Sequence, residues 1–150
     1  MSLFTEQETI MADFQDVRFS FLSQTDAVTD SMAATVIAIL SLQKARGGMS
    51  LDAGISRMLG IDLEQLKRDA AQIKTTTKTD KFVLLSTAVL LITLEVWFPG
   101  EFRTWSGVAR KSRRWLQNIL SKGSPELYGT SLMAWVDEFV RTRVSPRSGA

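Results

Sequence analysis

Apolar residues recur at steps of three and four along most of this chain, and no alternating run is long enough to suggest a useful strand. Ile10, Phe14, Val17 and Phe21 follow this spacing with Glu8, Asp13 and Asp16 between them, which predicts an amphipathic helix or an entry segment lying across a core. Asp30 or Ser31 can cap a helix over 32–43, where Val36, Ile37, Ile39, Leu40 and Leu42 are apolar over a wide arc. Gly47-Gly48 ends that element, because glycine accepts backbone angles that other residues avoid. Ser50 can cap a short helix ending at Gly60, and Asp62 another that places Leu63, Leu66, Ala70 and Ile73 on one face. Thr75-Thr76-Thr77 lies in a loop over 74–79.

The most apolar element runs from Phe82 to Phe98, capped by Asp80, stopped by Pro99-Gly100 and charged only at Glu95. A membrane span needs about twenty apolar residues and flanking positive charge. This run is shorter and holds Ser86, Thr87 and Thr93, so it reads as the central helix of a core, apolar all round. The next helix, over 104–120, carries a stripe of Trp105, Val108, Ser112, Trp115 and Ile119. Ser124-Pro125-Glu126 reads as a helix start with proline at its first position, followed by a stripe of Leu132, Trp135, Val136, Phe139 and Val140. The expected fold is all-α, a compact bundle of about six helices around 82–98. One helical domain over 1–150 is expected, a module of a larger protein, with 1–9 and 145–150 frayed.

Composition narrows the chemistry. The chain has no cysteine and no histidine, which removes disulfides, thiolate nucleophiles, the usual zinc ligands and the commonest acid–base group. Only carboxylate or lysine chemistry remains, and the expectation is a protein without catalytic residues, cofactor or metal. The start of the chain has no basic n-region and no apolar h-region, so a cytoplasmic setting is expected. The formal charge of +2 is uneven. Residues 1–80 carry eight Lys/Arg against eleven Asp/Glu, a net −3, whereas residues 101–150 carry nine against four, a net +5.

Three groups are candidates for function. Arg110, Lys111, Arg113 and Arg114 form the densest basic cluster, flanked by Trp105 and Trp115. Basic residues beside aromatics can hold nucleic acid. Both tryptophans, however, sit on the apolar stripe, no nucleic-acid motif accompanies them, and a solvated or partner-facing surface is the simpler reading. Glu95 is either a perturbed acid in a pocket, or the partner of an arginine such as Arg103 or Arg110, or a helix-end residue reaching water. The amphipathic segment with Phe14, Val17 and Phe21 is a second candidate surface. Asp62 with Glu64 and Asp137 with Glu138 point apart on their helices and make poor paired catalysts.

The order of pieces from Ile39 to Leu116 resembles the C-terminal helical region of proteins with a vault protein inter-alpha-trypsin domain and a von Willebrand factor A domain. That region also occurs near the end of the vault poly(ADP-ribose) polymerase. The resemblance rests on Leu42-Gln43, Gly47, Leu51-Asp52, Leu59-Gly60-Ile61, Leu94-Glu95, Trp105, Ala109, Lys111 and Trp115-Leu116, and covers about half the chain. The turn departs from the family: Arg46 stands where it has Asp, Gly48 where it has Ser and Met49 where it has Trp. The resemblance implies docking inside a large particle, with the particle's shell protein as one partner.

Taken together, the residues point to a non-catalytic protein-interaction module that uses Arg110, Lys111, Arg113, Arg114 and the segment with Phe14, Val17 and Phe21. The alternatives are a ligand-binding or enzymatic bundle centred on Glu95, and a basic face for nucleic acid or a membrane surface. Nucleic acid is the less expected partner, and no membrane span is expected.

Overall fold

The apolar run after Asp80 lies at the centre of the packing in a computed structural model, which describes residues 23–146. The chain divides into two units between Ser31 and Met32. Six helices appear among the described residues: α1 (Ser23–Leu40), α2 (Ala53–Leu59), α3 (Leu63–Ala71), α4 (Lys81–Trp97), α5 (Phe102–Gly123) and α6 (Leu132–Arg143). A 3₁₀ turn at Pro99–Glu101 joins α4 to α5, and a small antiparallel hairpin, β1 (Glu126–Leu127) with β2 (Thr130–Ser131), joins α5 to α6. The fold is an all-α bundle, as the periodicity predicts.

Asp80 starts α4 by accepting from the amides of Phe82 and Val83. From Leu84 to Leu91, and again at Thr93 and Leu94, every residue except Ile92 is buried, because α6, α5 and α3 all pack on this helix. Its buried hydroxyls are mostly satisfied at short range. Thr93 donates to Val89 O, and Thr87 accepts from the Met49 amide, which ties the segment after Gly48 to the core helix. No single helix among the described residues is long and apolar enough to cross a membrane.

Several local readings change. α1 is already helical from Ser23, so Asp30 and Ser31 lie inside it; nothing between them and Ser23 breaks a helix. The cap of α2 is Asp52, whose Oδ1 accepts from the Ile55 amide, and not Ser50. Leu51 is buried, so the chain is still threading through the core when it passes Ser50. Ser124-Pro125-Glu126 opens the hairpin rather than a helix. Tyr128 (φ 52°) and Gly129 (φ 79°) are both left-handed, as a tight two-residue turn of primed type requires. Ser131 then caps α6 through the Ala134 amide. Beyond α6 the first residue expected to fray is fixed: the Ser145 amide donates to Leu59 O at 2.8 Å, over the Gly60 end of α2.

Two of the connections are tied to other parts of the fold. The loop over 74–79 is tied to the hairpin by a bridge between Lys74 and Glu126. It also lies so close to Gly123 that a methyl group there would meet Thr75 Oγ1 at 2.5 Å. The second pin is a carboxylate. Asp69 on α3 is 3 % exposed, and its Oδ1 accepts from Tyr128 OH at 2.8 Å and from Gln65 Nε2 at 3.1 Å. Its Oδ2 has no hydrogen-bond partner among the described residues. The hydrogen bond to Asp69, then desolvation, then the carboxylate's charge hold the Tyr128 hydroxyl above its ordinary value of 10.0.

Candidate docking face

α5 carries the basic cluster, and its two sides differ in kind. On the inner side Trp105, Ala109, Ser112, Leu116, Ile119 and Gly123 are buried, stepping by four and three. The stripe is therefore rotated by one residue from the expected one over part of its length. Val108 is 38 % exposed and Trp115 is half-buried, while Ala109 and Leu116 take the core positions. The loop after α1 sets this phase. Gln43 Nε2 donates to Val108 O at 2.7 Å and to Ser112 Oγ at 2.8 Å, and Ser112 in turn donates to Gly47 O. Gly47 has φ 111°, and a methyl group there would lie 2.8 Å from Lys111 O and 2.9 Å from Trp115 Cβ. At Gly48 a methyl group would reach Val83 Cγ1 at 2.7 Å. The glycine pair thus lets the loop lie flat on α5 and on the start of α4, with Trp115 covering it.

The same rotation decides the fate of Glu95. Arg113 swings toward α4 and pairs with Glu95, so neither Arg103 nor Arg110 is its partner. The pair is open to water, with the Arg113 and Glu95 side chains 40 % and 41 % exposed, so Glu95 is not a buried acid.

On the outer side Arg103, Arg110, Lys111 and Arg114 are all exposed, and none forms an ion pair or hydrogen bond through its side chain with a described residue. The structure thus keeps three of the four expected basic residues on one free surface and diverts Arg113 to the edge. Lys44 and Arg46, exposed and next to Gly47, extend the positive field on the Lys111 side. Arg103 belongs to this surface and was legible: with Arg110 and Arg114 it follows the spacing i, i+7, i+11 of one helix face. Phe14, Val17 and Phe21 lie outside the described residues.

Three of the four residues in the candidate acidic pairs are engaged locally. Asp62 caps α3, Glu64 meets Lys67 at 3.6 Å and Asp137 meets Arg141 at 3.1 Å. No group of three or more metal-ligating side chains lies together among the described residues. On the far side of the fold, Trp135 and Phe139 of α6 stack with ring centroids 5.1 Å apart, and Arg143 lies over Phe139.

Compared with protein-family models, with characterised proteins and with solved structures, the chain matches none.

Proposed function

We propose that this chain is a non-catalytic docking module that presents the outer side of α5 to an acidic surface of a protein partner. The observation that carries the reading is that Arg103, Arg110, Lys111 and Arg114 have no side-chain partner among the described residues, beside an inner stripe that is buried in the core. Charges left unpaired on one helix face steer a complementary partner to it and set its register. The resemblance to the helical region of vault-associated proteins makes the shell protein of a large particle one partner to test.

The experiment uses the full chain with Arg110→Glu and Arg114→Glu. Proteins captured from cell extract by the wild type and lost with the double variant are identified by mass spectrometry, and their kinetics are then measured directly. Association should slow several-fold at low salt, with dissociation changing less and the thermal melt unchanged, because exposed charges act on encounter and are screened by ions. Equal association rates for the two proteins at low salt would place the binding surface elsewhere.

A further inference from the structure

Gly107 stands in the middle of the free face of α5 with no structural reason to be glycine. It lies in the helix interior, is exposed, and a methyl group added to it would meet no atom of the described residues within 4 Å. Glycine at such a position lowers helix stability relative to alanine, because the unfolded chain loses more freedom on folding. The other glycine on α5 that faces the fold, Gly123, is crowded by Thr75 and Thr77. Gly107 has no such neighbour, so nothing inside the described molecule uses its missing side chain.

Its surroundings give the missing side chain a use outside. Gly107 is one turn from Arg103 on one side and one turn from Arg110 on the other, with Arg114 a further turn on. The three guanidinium groups therefore form a row about 16 Å long by the rise of an α-helix, with a notch between the first two.

We propose that Gly107 is a close-approach site at which an acidic helix of a protein partner crosses α5, its carboxylates pairing with Arg103, Arg110 and Arg114. This rests on the docking reading above and adds the occupant and its geometry. Guanidinium groups take carboxylates in a two-pronged geometry, which fixes register as well as adding attraction. A small residue at a helix crossing lets the two backbones come closer than any side chain would allow. A nucleic-acid strand fits the face less well, because it needs aromatic platforms. Trp105 is buried and donates to Phe98 O, and Trp115 is folded against Gly47 and Gly48, so neither tryptophan is free to stack a base.

The test uses the full chain and a synthetic alanine-based helical peptide with glutamates spaced along one face around a central leucine, its glutamine counterpart, and an oligothymidylate of equal charge. Binding is read by fluorescence anisotropy at low salt. The wild type should bind the glutamate peptide and not the glutamine one. Gly107→Leu should weaken that binding about tenfold, and Gly107→Ala several-fold, with the thermal melt of each variant no lower than the wild type's. If Gly107→Leu binds as the wild type does while Arg110→Glu with Arg114→Glu still loses binding, the close approach is refuted and the charged docking face stands. If that double variant also binds unchanged, both fail. No binding of the glutamate peptide, or tighter binding of the oligothymidylate, overturns the acidic helix as occupant.

Discussion

Two glycines meet the same helix from opposite sides. Gly47 arrives from the loop after α1 and touches the flank of α5, where Ser112 donates to its carbonyl; its left-handed backbone, and the 2.8 Å at which a methyl group there would meet Lys111 O, both require glycine. Gly107 lies within α5 on the outer flank, in ordinary helical conformation, with no atom of the described residues near the place of its missing side chain. The first glycine is explained by the fold and the second is not. The same split runs through the neighbouring residues. On the inner flank polar groups are paired: Gln43, Ser112, Thr87 and the Trp105 indole all have partners. On the outer flank Arg103, Arg110, Lys111 and Arg114 have no side-chain partner among the described residues. This asymmetry between a satisfied flank and one left unpaired among the described residues is what the proposed docking reading rests on.

The comparison breaks first at Gly47. Gly47→Ala should destabilise the chain by about 3 kcal/mol, since the new methyl group meets backbone and the left-handed conformation is strained for alanine. Urea melts read this directly, and a loss under about 1 kcal/mol would mean that the loop does not set the phase of α5.

A smaller effect is expected where the hairpin is pinned to α3. Tyr128→Phe removes one of the two donors to the buried Asp69 carboxylate, so the urea midpoint should fall by less than it does for Gly47→Ala. The pH dependence gives a sharper signature. The folded Tyr128 hydroxyl titrates above its unfolded value of 10.0, so its contribution is intact below that value and is lost as pH rises through the folded one. The wild type should therefore lose stability in that alkaline window relative to Tyr128→Phe. Parallel stability curves for the two proteins through the window would show that the hydrogen bond to Asp69 does not hold the hairpin.

The sequence makes the local signals legible. Asp62 and Asp80 cap the helices expected of them, and the apolar run after Asp80 is the central helix, because capping and all-round hydrophobicity act over a few residues. What it hides is decided at a distance. Val108 and Ala109, or Trp115 and Leu116, are adjacent apolar residues that a helical wheel cannot rank, and the loop at Gln43–Gly48 chooses between them. Glu95 pairs with an arginine and reaches water, as the simpler reading has it, but the arginine is Arg113 and not Arg103 or Arg110. The bond from Tyr128 to Asp69 spans 59 positions and leaves no local trace. Pro125 misled for a different reason: proline suits the first position of a helix and the entry to a turn equally, and only the paired left-handed residues at Tyr128 and Gly129 separate the two. The basic face itself was visible in part. The cluster at 110–114 stands out by density, whereas Arg103 joins it only when the helix is followed back beyond 104 to Phe102, and Gly107, inside the expected helix, carries no charge to draw notice.

The central claim is that the outer side of α5 is not used by the fold, and the sign of one substitution tests it most directly. Gly107→Ala should raise stability by about 0.5–1 kcal/mol in urea melts, because alanine costs the helix less and meets nothing. A loss of stability of that size would contradict the account, since it would mean that the chain itself occupies the space beside Gly107.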